Sequence, residues 1–224
     1  MKTFKEFLRE SDDALTLADI IKRDCQPFLR EAKGAGFLMR GIKNFETPFT
    51  NVISAIDEKE NKLSWGTLNK VVDRKPRHTP DKEHTVFNAW FEKEFGWKAR
   101  SDGLFTFGDL GTNTTALSYY GDRHLIFPIG DFKYVWSPIV GDLYAEYPGD
   151  LTDHDKWLGA QGYTDKNLNK AIGLGHTEIM IKAEKFYAIR AIHVDDIDLL
   201  KRAVASTRHS LWHSLDNSMK QAHK

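Results

Sequence analysis

The chain has 224 residues with 32 basic and 32 acidic side chains, so its formal net charge at neutral pH is zero. A neutral chain of this length suits one domain with a sizeable core and has no overall positive field for nucleic acid or an anionic membrane. The single cysteine, Cys25, excludes an intramolecular disulfide, and no apolar run approaches the roughly 20 residues of a membrane span. Composition thus predicts a soluble protein of a reducing compartment, with no membrane or nucleic-acid partner.

The first ten residues, Met1–Glu10, form a short amphipathic segment with its apolar side chains on one helical face. The segment resembles the capsid-targeting leader of internal head proteins of large T-even-type tailed phages, which begins Met-Lys-Thr-aromatic. A prohead protease cleaves that leader after Leu/Ile-x-Glu, and Leu8-Arg9-Glu10 fits. The resemblance implies a cleavable leader at 1–10, a single domain at 11–224, and location in the virion interior and then the host cytoplasm. The alternative is an ordinary amphipathic starter helix.

The first half of the domain predicts helices and buried strands. Helical spacing of apolar residues over Ala14–Lys33 predicts a helix kinked at Pro27. The apolar run Phe37–Ile42 predicts a buried strand in which Arg40 requires an anionic partner or ligand. The next predicted elements are a strand at Asn51–Ile56, a strand or helix at Leu63–Val72 and a helix with an aromatic face at Asp81–Phe95. The basic loop Asp73–Pro80 lies between the last two, and its Arg74 and Arg77 could bind phosphate.

The second half predicts mostly strands. Gly103–Asp109 reads as a strand that ends in a glycine turn, and Gly130-Asp131 predicts a hairpin. The other predicted elements are a short helix at Asn113–Tyr120, the two hairpin strands His124–Ile129 and Lys133–Trp136, a helical turn at Asp142–Tyr147, an irregular polar segment at Pro148–Asn169 and a helix at Asp195–Lys220. His209 and His213 of the final helix, and His223 just after it, have no accompanying acid in the metalloprotease arrangement, so no metal site is predicted.

A second hairpin is predicted by two β-rich runs, Glu178–Lys182 and Phe186–Ile192, which flank the charged connection Ala183–Lys185. Glu178 opens the first run, and the glycine-containing loop Gly173–Gly175 lies shortly before it. A carboxylate placed where a loop enters a rigid sheet is suited to catalysis. The alternative interpretation is a solvated acid at a strand end.

Three of these stretches, taken in order, resemble the mono-ADP-ribosyltransferases of the arginine/serine/glutamate class. Phe37–Gly41 matches the strand that ends in Arg-Gly, Phe105–Gly108 falls at the Ser-Thr-Ser motif, and His176–Glu178 falls at the Glu/Gln-x-Glu motif. The resemblance implies an α+β fold of two packed, mostly antiparallel small sheets around an NAD cleft, with flanking helices. It also implies that NAD is the substrate, that no metal is used and that a host protein is the acceptor.

The resemblance assigns a role to each matching residue. Glu178 would stabilise the positive charge that develops on the ribose, with His176 beside it at the acceptor. Cofactor binding would fall to Arg40, Gly41, Phe105, Thr106 and Phe107, with Arg40 on the diphosphate or ribose, Thr106 as polar anchor and one aromatic ring against the nicotinamide.

Two departures from the family pattern keep other functions open. His176 stands where the family has Glu or Gln, and both serines of the middle motif are replaced. The alternatives are a non-catalytic internal head or host-binding protein that keeps the fold, and an NAD glycohydrolase in which water is the acceptor.

Overall fold

The fold is seen in a computed structural model, which describes residues 17–42, 65–76, 79–108, 122–149, 153–190, 200–202 and 204. Within these ranges the helices are α1 (17–24), α2 (Gln26–Ala32), α3 (Asp81–Phe95), α4 (Ala99–Asp102), α5 (Leu143–Glu146), α6 (His154–Ala160) and α7 (Leu168–Leu174), and residues 200–202 are also helical. The strands are β1 (Leu38–Ile42), β2 (Trp65–Asn69), β3 (Leu104–Gly108), β4 (Asp122–Trp136) and β5 (Ile179–Arg190).

The described strands form one antiparallel sheet in the order β2-β5-β3-β1-β4, with an additional pairing of β4 to β5. That extra pairing closes β1, β3, β5 and β4 into a small barrel, and β2 extends the sheet beside the second half of β5. Helices flank the barrel, because α2 packs on β4 and α7 packs on β3. The predicted α+β class with antiparallel strands and flanking helices is confirmed.

Both predicted hairpins are wrong, because each proposed turn lies within one continuous strand. At Gly130-Asp131, β4 continues through a β-bulge: Ile129 pairs with Lys185 and Phe132 with Ala183, so two residues oppose one. Gly130 has a φ of +70°, the left-handed conformation that such a bulge requires and that glycine adopts without strain.

The charged stretch Ala183–Lys185 likewise continues β5, which pairs with β4 along almost its whole length. Ala183 is buried, whereas Glu184 and Lys185 are exposed. The Glu184 carboxylate lies 2.8 Å from Lys70 Nζ, beside the neighbouring strand β2. Pairing with two neighbours therefore decides a conformation that the local charges alone do not.

The helices follow the sequence more closely. The predicted kink is confirmed, since the chain between α1 and α2 breaks at Cys25, two residues before Pro27 in the first turn of α2. Helix α3 has the predicted bounds and ends at Gly96 in the left-handed conformation. The helical turn within Asp142–Tyr147 is confirmed as α5, capped by the Asp142 carboxylate.

The structure corrects other predictions, and some predicted features lie outside the described residues. The segment Pro148–Asn169 is not irregular throughout, because it contains α6, and Gly173 and Leu174 belong to the last turn of α7 rather than to a loop. Leu63–Val72 contains the strand β2. Several predicted features lie outside the described residues, namely the leader, Asn51–Ile56, Arg77, Asn113–Tyr120, His209, His213 and His223.

Two apolar clusters form the core. The larger one fills the barrel and the space beneath α1, α2 and α7, with Phe28, Phe127 and Phe186 nearly inaccessible to solvent. The second cluster lies beneath α3, where Phe87 and Phe91 pack against Val135 and Met180. Among the described residues, no helix is long and apolar enough to cross a membrane. Together the clusters hold β3, β5 and α4 in fixed relation, which positions the residues described next.

Candidate functional site

Glu178 lies between the end of α7 and the start of β5. Helix α7 ends at Gly175, which has a φ of +71°, and the chain then turns through the buried Thr177 into the strand. The Glu178 side chain is 17% exposed, and its Oε1 accepts a hydrogen bond from Arg100 Nη1 at 3.1 Å. The carboxylate is thus a largely buried, ion-paired group and not the solvated strand-end acid of the alternative interpretation.

Arg100, which contacts Glu178, is a site residue that the sequence did not reveal. It lies in the four-residue helix α4, is 9% exposed, and donates from Nη2 to Thr79 Oγ1 at 3.3 Å. Nothing in the local sequence distinguishes Arg100 from a surface arginine, and 78 residues separate it from Glu178. The available signal was only that two polar residues, Ser101 and Asp102, follow it just before the buried strand β3.

Arg40 is close to the same place through β1. Its Nη1 donates to the carbonyl oxygen of Phe105 at 2.7 Å, and the Arg40 side chain is half-buried. The predicted need for a partner is therefore met in part by the backbone of β3. Arg40 and Glu178, two residues of the sequence prediction, are near enough for the Arg40 charge to act on the Glu178 carboxyl.

The Phe105 ring joins a third arginine to the site. The guanidinium carbon of Arg74 lies 3.8 Å from the centroid of that ring, and that of Arg100 lies 4.9 Å from it. Arg74 also donates from Nη2 to the carbonyl of Arg100 at 3.0 Å. Arg40, Arg74 and Arg100 around Phe105 are called the arginine cluster below. Each cation–π contact of this kind contributes about 0.5–2 kcal/mol, depending on desolvation.

Opposing effects set the ionisation of Glu178. Burial raises the pKa of its carboxyl, while the positive charges of Arg100, Arg74 and Arg40 act in the opposite direction and the negative charge of Asp142 adds to the rise. The net direction is a raised pKa. Tyr163 is a further neighbour, and burial together with the Glu178 charge raises the pKa of its phenol. A raised carboxyl pKa beside a specific cation is typical of functional sites, although structural ion pairs produce it too.

Thr106 does not join this group. Its side chain is fully buried, and its hydroxyl donates to the carbonyl of Ile179 on β5 at 2.9 Å. Strand β3 alternates, so Thr106 is buried while Phe105 and Phe107 on either side are half-buried. The structure therefore brings Phe105 to the arginine cluster and gives Thr106 a role in joining β3 to β5.

The remaining predicted residues lie at the margins of the site. Gly41 is buried in β1, where it pairs with Arg123 of β4. Phe107 pairs with Met39, one residue before Arg40. His176 is exposed two residues before Glu178, and its Nδ1 lies 2.7 Å from the carbonyl oxygen of Leu174. When Nδ1 carries the proton and donates it to that carbonyl, Nε2 is the unprotonated nitrogen of the ring. Nε2 then points away from the backbone and can accept a hydrogen bond.

A buried polar network lies behind Arg100. Asn88 of α3 accepts at Oδ1 from the backbone N–H groups of Arg100 and Ser101, both at 3.1 Å, and donates from Nδ2 to Ser101 Oγ at 2.8 Å. His84 Nε2 lies 3.0 Å from the same hydroxyl. Burial and the nearby Arg100 and Arg74 lower the pKa of His84. Such a network fixes α4, and with it Arg100, against α3.

Cationic side chains outnumber the one carboxylate where Arg40, Arg74 and Arg100 surround Phe105 beside Glu178. A groove of about 520 Å³ adjoins the network, bounded by the 73–76 segment, α3 and α4. Within the described ranges, no three His, Cys, Asp or Glu side chains are placed to hold a metal ion together. Chemically, the site combines one carboxylate, three guanidinium groups and a half-buried aromatic ring.

No known protein family, curated protein or solved structure matches this chain.

Proposed function

We propose that the protein is an NAD-dependent mono-ADP-ribosyltransferase that modifies a host protein after phage infection. The observation that carries the proposal is the buried Glu178 carboxylate held beside the arginine cluster around Phe105. Three of the residues that the family resemblance selected, Arg40, Phe105 and Glu178, converge there, although they are far apart in the sequence. In this proposal the closed sheet serves as the family's two packed sheets, with NAD bound in a cleft at Glu178.

The chemistry requires an anion at the ribose. When the bond between ribose C1′ and the nicotinamide nitrogen breaks, nicotinamide leaves with the electron pair and positive charge develops on the sugar. Glu178 as a carboxylate stabilises that charge and accepts a hydrogen bond from a ribose hydroxyl. A nucleophilic atom of the acceptor then bonds to C1′ and loses its proton.

The other side chains suit the rest of the substrate. NAD carries a diphosphate dianion, and guanidinium groups bind such oxygens through paired N–H donors. Phe105, half-buried and contacted by the Arg74 and Arg100 guanidinium groups, would contribute the aromatic ring beside the nicotinamide. His176, exposed and with Nε2 directed away from the backbone, is placed to contact the acceptor or take its proton.

The biology of the proposal follows from the N-terminal resemblance. A leader at 1–10, cleaved by the prohead protease after Glu10, would bring the protein into the virion interior, and infection would deliver it to the host cytoplasm. There NAD and a host protein acceptor would be its partners. The domain would occupy 11–224.

The test compares wild type with Glu178→Gln, using labelled NAD and a bacterial lysate while recording label on protein and free nicotinamide. Gln is chosen because it keeps a hydrogen-bond acceptor for the buried Arg100. Glu184→Gln is the matched control, since Glu184 is an exposed glutamate of β5, the strand that begins directly after Glu178. We expect protein label that falls at least about 100-fold in Glu178→Gln, as for loss of a charge-stabilising group, and is unchanged in Glu184→Gln.

The outcomes separate the candidate functions. Nicotinamide release without protein label would establish the glycohydrolase. Full activity of a folded Glu178→Gln would refute the role of this carboxylate. A wild type that neither cleaves nor binds NAD would favour the non-catalytic head or host-binding protein, a function consistent with the burial of Thr106 and the engagement of Glu178 by Arg100.

A further inference from the structure

The side chain that touches Glu178 belongs to none of the matched motifs. Arg100 donates a hydrogen bond from Nη1 to Glu178 Oε1 at 3.1 Å. Among the described side chains, Arg100 is the hydrogen-bond donor observed at this carboxylate. Arg100 is itself 9% exposed, so both partners of the ion pair are largely removed from water. At that burial, removal of one charge leaves the other without compensation, which is costly.

Arg100 is held in place at both ends. Its backbone N–H donates to Asn88 Oδ1, its backbone carbonyl accepts from Arg74 Nη2, and its Nη2 donates to Thr79 Oγ1. The guanidinium also lies over the ring of Phe105. A charged side chain with contacts from α3, the 73–76 segment and β3 has few other positions available.

We propose that Arg100 is a positioning residue of this site, which fixes the Glu178 carboxylate in one orientation and supplies the counter-charge that keeps it an anion. The inference rests on the proposed function for its catalytic meaning, but the geometry of the pair does not depend on it. Arg100 acts through Glu178 and is not assigned a contact with substrate.

The charged groups that act on Glu178 come from several elements. Arg100 of α4, Arg74 of the 73–76 segment and Arg40 of β1 favour the anion, while Asp142 at the start of α5 disfavours it. Tyr163 stays a neutral phenol at neutral pH. Among the three arginines, Arg100 has the largest effect and is the one with a hydrogen bond shown to the carboxylate. Without Arg100, burial would favour the neutral acid, which cannot stabilise positive charge on a ribose.

The experiment measures the ionisation of Glu178 directly. Protein labelled with ¹³C at the glutamate carboxyl carbons is titrated by NMR, and the Glu178 signal is assigned by its loss in Glu178→Gln. We expect Arg100→Gln to raise the Glu178 midpoint by about one to three pH units, the usual effect of an adjacent arginine. Arg74→Gln is the matched control, since Arg74 lies over the same ring, and we expect a smaller rise.

A kinetic measurement adds a second readout. In nicotinamide release, Arg100→Gln should move the ascending limb of the kcat profile to higher pH, and Arg100→Lys should restore most of that shift because it keeps the charge. A merely structural role would lower the rate equally at every pH. An unchanged Glu178 midpoint in folded Arg100→Gln, or an equal rise in Arg74→Gln, would overturn the inference.

Folding and function can be separated from this result. If Arg100→Gln does not fold, Arg100→Lys decides, because it keeps the charge but not the planar paired donors. An ascending limb close to that of wild type with a lower plateau kcat at an unchanged KM for NAD supports the inference, and a plateau kcat equal to that of wild type contradicts the positioning role. If the wild type releases no nicotinamide, the proposed function fails, while the NMR titration still decides whether Arg100 controls Glu178.

Discussion

Gly108, the last residue of β3, is the position at which we expect the smallest substitution to have the largest effect. A Cβ atom at Gly108 would lie 1.9 Å from the carbonyl oxygen of Ile172 in α7 and 2.7 Å from its carbonyl carbon. Non-bonded carbon contacts are most favourable at about 3.5–4 Å, so Gly108→Ala requires α7 and β3 to separate by well over an ångström. The added Cβ atom is fixed to the backbone of β3, and the atoms it meets belong to the backbone of α7, so neither can rotate away.

The magnitude follows from this geometry. Inserting a methyl group into a packed interior costs about 1–3 kcal/mol, and the backbone contact puts Gly108→Ala near the upper limit. A loss of about 3 kcal/mol lowers the Tm of a domain of this size by roughly 6–12 °C. Because α7 leads directly to Glu178, we also expect NAD cleavage to fall in the folded variant.

The assay is thermal unfolding followed by circular dichroism, with Gly159→Ala as the matched control. Gly159 lies within α6, and a Cβ there would have no heavy atom within 4 Å. Replacing such a helical glycine by alanine stabilises by about 0.5–1 kcal/mol. A Tm of Gly108→Ala within about 2 °C of wild type would mean a change of under roughly 1 kcal/mol and would refute the close approach of α7 to β3.

Three further changes test individual residues. The pKa of His84 is lowered on folding, so the stability that neutral His84 contributes is present above about pH 6.5 and is lost as pH falls below that value. The Tm of wild type should therefore drop between pH 7 and 5, and the Tm of His84→Gln should drop less steeply. Thr106→Val should cost about 1 kcal/mol by denaturant unfolding, because the bond to Ile179 is lost, yet leave NAD affinity unchanged; weakened NAD binding would return Thr106 to the site. Asp142→Ala removes the cap of α5, which should cost about 1 kcal/mol of unfolding free energy. The same change should move the ascending limb of the pH profile of NAD cleavage to lower pH, because the Asp142 charge raises the pKa of Glu178. A shift of that limb to higher pH would contradict this reasoning.

The elements that were predicted well carry their signals within a few residues. Helix α3 begins after Pro80, ends at Gly96 and has a continuous aromatic face between them, so its bounds could be read directly. The kink near Pro27 and the cap at Asp142 are likewise local. Each depends on backbone geometry that a residue imposes on its neighbours.

The strands were predicted less well because their partners lie elsewhere in the chain. Gly130-Asp131 and Ala183–Lys185 are typical of turns, yet each is held extended by pairing between β4 and β5. In the site, the same cause hid Arg100, since its importance depends on Glu178. For Thr106, the alternation in Phe105–Phe107 already indicated that the threonine and the aromatics face opposite ways, and the structure shows the threonine side chain buried.

By itself, the sequence determined the helices with local start and stop signals, the α+β class and the selection of Glu178 and Arg40 as residues that need explanation. The tertiary structure alone decided that β4 and β5 run unbroken, that Arg100 pairs with Glu178 and that two arginines contact the ring of Phe105. The physical reason is one of range. Capping and backbone preference act over a few residues, whereas strand pairing and the ionisation of a buried carboxylate depend on groups that only folding brings together.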